Sequence, residues 1–378
     1  MNPIQRIDFL MPATSQYEVI HHFTHALFKA GVEAGYTTRL LYGEDRVEVP
    51  YKTPPDLTIC FNGAPSLADG RWLSDVINVP HISWLLDPPY RFWDKTRSEK
   101  IWIACDDQFG CRMLNNAHME RNLFLPHASD KDFLFPFSKS KKYEIVLLAT
   151  YIDAEGRRKK WRERFGNFIF EGMEKAIFSF TNNLRPSFIE VLYENIRLNP
   201  KPLQEEEARQ IFEEFELYIK GMERINLVRS LNPLKIDIFG GTIDEKTWEN
   251  EFGDAKNVTL HREVNFKEAL EIMKNSKILL NTSIKNRAGA HERIFYGFSA
   301  GCLVATSENP YLKEILGELP LYFDFTNKDG FKETLLEALK RPADQQSRIE
   351  KAQKIIQKEH TWGNRLEKIV KTIEGSNE

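Results

Sequence analysis

The run Lys277 to Pro310, KILLNTSIKNRAGAHERIFYGFSAGCLVATSENP, constrains the fold more than any other part of this chain. An apolar strand (KILLNTS) leads into a polar loop carrying Lys285, Arg287 and Gly289. A helix is expected from about Ala290, and Cys302 to Ser307 forms a second apolar strand. Strand, loop, helix and strand at this spacing make a parallel crossover, which places the loop and helix N-terminus at the carboxyl edge of a sheet. Unpaired backbone N–H groups and the helix dipole favour an anion there. Lys285, Arg287 and Arg293 add side-chain cations. Glu292, in the first helical turn, would repel a phosphate it touched and suits neutral hydroxyls instead. His291 either caps the site, donates to a phosphate, or is structural. A diphosphate flanked by sugars meets both demands, so the residues point to a nucleotide-diphosphate sugar as ligand.

At 378 residues the chain exceeds a single core of roughly 250–300 residues, so two domains are expected. A formal net charge of −3 argues against general nucleic-acid binding. The opening MNPIQRIDFLMP passes into a strand without a basic-plus-apolar leader. No apolar run approaches the roughly 20 residues of a membrane helix, which leaves only peripheral membrane contact open. Cys60, Cys105, Cys111 and Cys302 have no metal or redox spacing, and three of them lie in or beside apolar strand patterns. Buried free thiols in a reducing compartment follow, and with them a cytoplasmic protein.

Six apolar runs precede residue 130: RIDFLM, TTRLLYG, LTICFN, PHISWLL, IWIACD and NLFLPH. Val19 to Ala34 has helical spacing and stops at Gly35. After the charged linker SKSKK the alternation restarts with EIVLLAT, KIDIFGG, VTLHREV, KILLNTS, CLVATS and LPLYFD. Strands alternating with helices predict parallel, doubly wound sheets. The reading is α/β, with two facing Rossmann-like domains at 1–137 and 138–360. A helical insertion at about 161–231 breaks the second domain, either as an enlarged crossover or as a cap or docking arm. Residues 361–378 form a helix that returns to the first domain, with Thr361 as its cap.

The series IDIFGG, VTLHREV, FKEALEIMKNSKILLN and GAHERIFYGFSAGCLVATSENPYL resembles group 1 glycosyltransferases of the GT-B fold. It is most similar to the branch typified by spore-maturation CgeB-like proteins. LPHASDKDFLFP resembles the family's approach to its hinge, and HTWGNRLEKIV its closing helix. The resemblance implies an enzyme that moves a sugar from a nucleotide-diphosphate sugar to an acceptor hydroxyl or amide. It implies no metal and no cofactor beyond that co-substrate. One departure is plain: the family's two glutamates, counted back from Gly301, fall on Tyr296 and Ala288. Nucleotide-sugar binding is therefore better supported than retention of anomeric configuration.

Further candidates surround this segment. Arg293 and Arg287 are assigned to the diphosphate, with Lys285 beside them, because Arg meets phosphate bidentately. Gly240 and Gly241, ending KIDIFGG, would let a ligand approach the backbone. Arg157 and Arg158, in YIDAEGRRKKW, either reach the diphosphate or decorate a solvated basic turn. In the first domain Asp87 follows HISWLL, as an acceptor-activating base or as a turn aspartate. His21 serves the acceptor side or packing; with His25 it makes a pair one turn apart that lacks a third metal ligand. Asp130-Lys131-Asp132 reads as hinge. The rival readings are a metal-dependent transferase using Asp130 and Asp132, and a non-catalytic sugar-nucleotide scaffold. The acceptor is not named by the sequence.

Overall fold

The computed structural model describes residues 3–183, 187–284, 286–323 and 330–376. It divides into two compact units, one of Met1–Leu134, Asn265–Lys267 and Lys354–Glu378, the other of Phe135–Val264 and Glu268–Gln353. The divisions fall a few residues before 137 and 360 because Phe135 already belongs to the second unit. Its N–H donates to the Ser299 carbonyl at 2.7 Å, and its own carbonyl accepts from Gln353 Nε2 at 2.8 Å.

The first unit holds β1 (Arg6–Leu10), β2 (Thr37–Leu41), β3 (Leu57–Phe61), β4 (His81–Leu85), β5 (Ile101–Cys105) and β6 (Asn122–Phe124). They form one parallel sheet in the order β2-β1-β3-β4-β5-β6. Every residue of β3 and β4 is buried, as continuous apolar runs in the middle of a covered parallel sheet should be. The helices α1 (Val19–Glu33), α2 (Asp45–Lys52), α3 (Leu73–Ile77) and α4 (Gln108–Asn116) connect these strands.

The second unit opens with β7 (Tyr143–Leu148) and then a long helical crossover. This comprises α5 (Ala154–Asn183), α6 (Phe188–Ile196) and α7 (Glu205–Ser230), and it leads to β8 (Ile236–Phe239). The sequence reading took YIDAEGRRKKW as a loop, but helix starts at Ala154. The Asp153 carboxylate accepts from the Gly156 N–H at 3.1 Å and supplies the start signal. The chain continues through α8 (Trp248–Phe252), β9 (Val258–His261), α9 (Phe266–Lys274), β10 (Ser276–Asn281) and α10 (Glu292–Ser299). Then come β11 (Leu303–Ser307), α11 (Pro310–Leu316), β12 (Leu321–Phe323), α12 (Phe331–Lys340) and α13 (Pro342–Glu359). The sheet order is β12-β11-β10-β7-β8-β9, again parallel throughout.

The final helix, α14 (Trp362–Gly375), is part of the first unit. Thr361 caps it in a reciprocal box with Asn364. Arg365 donates to the carbonyls of Pro126 and His127 at 2.8 and 2.9 Å, and Trp362 packs 4.9 Å from the Phe23 ring and 5.6 Å from Trp84, centroid to centroid. Among the described residues no helix is long and apolar enough to cross a membrane.

Candidate functional site

In doubly wound sheets ligands lie outside the carboxyl ends of the strands, where the crossover direction reverses. In the second unit this reversal falls between β7 and β10, the two central strands. The loop after β10 runs from Thr282 to His291 and delivers α10 to that edge. It is fastened from several sides. Asn281 Nδ2 donates to Thr306 Oγ1 at 3.0 Å, and the hydroxyls of Ser283 and Ser307 lie 3.2 Å apart. Asn309 Nδ2 donates to the carbonyls of Asn286 and Gly289, each at 3.2 Å.

Helix α10 begins at Glu292, not at Ala290, because His291 is extended and serves as its N-cap. His291 Nδ1 is 2.7 Å from Glu292 Oε2, and His291 Nε2 is 3.1 Å from Arg293 Nη2. His291 Nδ1 also lies 3.5 Å from the Arg293 N–H, the capping contact of the helix. Arg293 Nη1 donates to the Leu148 carbonyl at the end of β7, at 2.5 Å. Its Nε lies 3.6 Å from Glu292 Oε1. Three side chains that are adjacent in sequence thus make one network across the switch point. The Arg293 and His291 side chains are 16% exposed and that of Glu292 is 8%. The sequence reading turned Glu292 toward ligand hydroxyls. In the structure its carboxylate is paired with the imidazole and the guanidinium, which satisfies a charge that would otherwise be buried alone.

The other expected residues divide by place. Gly240 and Gly241 follow β8 beside the same end of β7: a Cβ on Gly240 would stand 1.9 Å from the Ala149 carbonyl, and the Gly241 carbonyl accepts from Tyr151 N at 2.8 Å. The close approach that Gly240 permits is that of the protein's own backbone. Arg287 lies over the Phe180 ring of α5, 5.6 Å from its centroid, and Gly289 is buried in the loop. Lys285 lies outside the described residues. Arg157 and Arg158, in the first turn of α5, are both paired with carboxylates. Arg157 bridges Glu214 at 3.0 Å and Asp244 at 2.7 Å, and Arg158 grips Glu174 at 2.7 and 2.5 Å.

In the first unit Asp87 follows β4 and accepts from Asn62 Nδ2 at 3.2 Å, while Asn62 Oδ1 accepts from Leu86 N at 2.8 Å. His21 Nε2 is 3.1 Å from the Pro12 carbonyl, and the His25 ring lies 6.4 Å from that of Tyr42. The two histidines do not converge on one point. Asp130 is 2.9 Å from His22 and Asp132 is 2.5 Å from Lys29, so both carboxylates of the hinge motif are paired with α1. Among the described residues no group of three His, Cys, Asp or Glu is placed to hold a metal.

Sequence reasoning missed Glu223, on α7. It is 2% exposed, its Oε2 accepts from Ile284 N at 3.0 Å, and its Oε1 is buried without a hydrogen-bond partner. Burial pushes its carboxyl up to about 7, against the pull of the Ile284 N–H and of Arg224 and Arg287. Asn281 Oδ1 and Thr282 Oγ1, on the same edge, are also buried and unpartnered. Buried polar atoms left without partners are rare. The available signal was an acidic residue on the buried face of an amphipathic helix, where Ile219, Glu223 and Leu227 share a stripe.

Two sheets of this order, each wound by helices on both faces, with the first unit completed by the last helix, settle the architecture. The fold is GT-B. Sucrose-phosphate synthase from Thermosynechococcus elongatus aligns over 98% of both chains with a TM-score of 0.56 at 10% identity. An α-glucosyltransferase solved with UDP-glucose and DNA containing an abasic site aligns over 93% of this chain and 94% of its own, with a TM-score of 0.50 at 9% identity. TarM aligns over 86% of this chain at 12% identity with a TM-score of 0.49, and this chain spans 57% of its length. Residues 223–371 match the glycosyl transferase-like family, a stretch that begins at Glu223 and contains the whole α10 network. A search of curated proteins by sequence gives no match. Within the GT-B frame, the edge carrying Arg293 belongs to the C-terminal Rossmann-like unit.

Proposed function

We propose that the chain is a metal-independent glycosyltransferase that moves a sugar from a nucleotide-diphosphate sugar to an acceptor hydroxyl or amide. The observation that carries this reading is Arg293, fixed at the switch point between the end of β7 and the first turn of α10. Its Nε lies 3.6 Å from the Glu292 carboxylate, while its hydrogen bonds to Leu148 and His291 use one N–H on each terminal nitrogen and leave one on each. That pair, beside a helix N-terminus, suits the two phosphates of a leaving nucleoside diphosphate. Charge developing on the leaving group meets a cation already in place, so no reorganisation is needed during the reaction. The GT-B fold, the family match over 223–371 and the neighbour solved with UDP-glucose support the same donor class.

The acceptor side is assigned to the first unit, with Asp87 as the base if the reaction inverts; Asn62 holds its carboxylate at the end of β4. Pairing of Asp130 and Asp132 with His22 and Lys29 favours the metal-free reading over a metal-dependent one. The His291-Glu292-Arg293 opening and the helix ending at Gly301 support a place near the CgeB-like branch. At Gly301 the backbone has φ of 70° and a Cβ would stand 2.5 Å from the Pro136 carbonyl. We assign the protein to the cytoplasm on its free cysteines, of which Cys60, Cys105 and Cys302 are buried. A thermal-shift panel of nucleotide sugars tests the donor reading, since a ligand selective for the native state raises its melting temperature. At least one is expected to do so; a flat panel overturns the assignment. Transfer should then survive excess chelator, and abolition with rescue by manganese or magnesium would refute metal independence.

A further inference from the structure

We infer that Glu223, delivered by the helical crossover rather than by the Rossmann-like core, is the positioning residue that sets the β10–α10 loop for an anionic donor. The inference rests on the donor-site reading above. Helix α7 brings the carboxyl under the loop, where Oε2 accepts from the Ile284 N–H at 3.0 Å. Oε1 is buried and unpartnered, as are Asn281 Oδ1 and Thr282 Oγ1 at the end of β10. The crossover leans on the loop a second time where Arg287 lies over Phe180 of α5. Crossover and loop are therefore joined at two points, and the acid missing at Ala288 and Tyr296 has a counterpart that reaches the loop from α7.

The charge state of this carboxyl matters because a donor diphosphate carries negative charge to the same edge. An anion arriving near a buried carboxylate favours its protonated form. The groups facing Glu223 are Arg224 on its own helix, Arg287 in the loop and Ser307 on β11. With its carboxyl pushed up to about 7, Glu223 is part-protonated at neutral pH. Donor binding should then take up a proton and weaken as pH rises through that value.

The test uses the full chain with UDP-glucose and its dTDP and GDP counterparts, whose diphosphates do not titrate near neutrality. Dissociation constants are measured from pH 6 to 8.5 for wild type, Glu223→Gln and Glu223→Ala. Wild type should lose about tenfold in affinity across this range, the effect of about one unit of coupling. Glu223→Gln mimics the neutral acid and keeps an acceptor for the Ile284 N–H. It should bind with a flatter profile and more tightly than wild type at pH 8.5, with any slope from His291 common to both. Glu223→Ala frees the loop and should bind about tenfold or more weakly even at pH 6. If it does not fold, the Gln profile alone decides. Matching slopes for wild type and Glu223→Gln, or normal binding by a folded Glu223→Ala, would overturn the inference while leaving the donor site standing. No binding of any donor by wild type would overturn both.

Discussion

At the scale of single residues, Arg293 decides most. Its position in an anion-favouring first turn was legible because a strand, a polar loop and a helix were each readable from their residues. The network around it was not, because the partner of its guanidinium is the Leu148 carbonyl, 145 residues away in the chain. Arg293→Ala should weaken binding of an intact nucleotide sugar and of its free nucleoside diphosphate by similar factors, about ten- to a hundredfold. The monophosphate should suffer less, and Arg293→Lys should recover only part, since an ammonium cannot reproduce the fork. Calorimetric titration of the three ligands is the check; normal diphosphate binding by Arg293→Ala would remove it from the site. Glu292 shows the opposite kind of legibility. Its place in the first turn is readable from the sequence, but its pairing depends on an imidazole and a guanidinium whose orientations no spacing rule gives.

At the scale of elements, all twelve apolar runs became strands, the central ones because strands buried on both faces need near-continuous apolar sequence. The start of α5 was misread because a run of Arg and Lys resembles a solvated turn until its partners are known. Those partners, Glu214, Asp244 and Glu174, come from distant segments and make the basic run a brace within the crossover. Arg157 is 18% exposed and bridges two carboxylates that are 12% and 16% exposed. Arg157→Ala should therefore take a cation from two poorly solvated carboxylates, of which Glu214 keeps Arg164 at 2.7 Å, and cost on the order of 2 kcal/mol of stability, read as a lower denaturant midpoint. Donor affinity should stay unchanged. A weakened donor with unaltered stability would return Arg157 to the diphosphate and undo this account of the crossover.

At the scale of the whole molecule, two buried histidines make the first unit sensitive to acid. His81 lies between Thr58 Oγ1 at 2.8 Å and the Gly63 carbonyl at 2.9 Å, and burial lowers its pKa from 6.5 to about 4. His360 sits 2.8 Å from Arg365, and burial followed by that cation lowers its pKa to about 3. Both stay neutral in the fold and charge on unfolding below 6.5, so the unfolded state binds more protons there. Stability should be full above pH 6.5 and fall as the solution is acidified toward 4, by at most about 1.4 kcal/mol per pH unit for each histidine. His360→Gln should flatten that slope in urea titrations at pH 7, 6 and 5; an unchanged slope would exclude His360 as a source. The chain order of the two units has a further consequence, one that acts in time. Everything from Phe135 to Gln353 is synthesised before the first unit receives α14 and the Trp362 indole that covers Phe23 and Trp84. At ordinary elongation speeds that interval is roughly 10–40 s. Until it ends, the Phe23 and Trp84 rings of the nascent first unit lack the indole that packs on them.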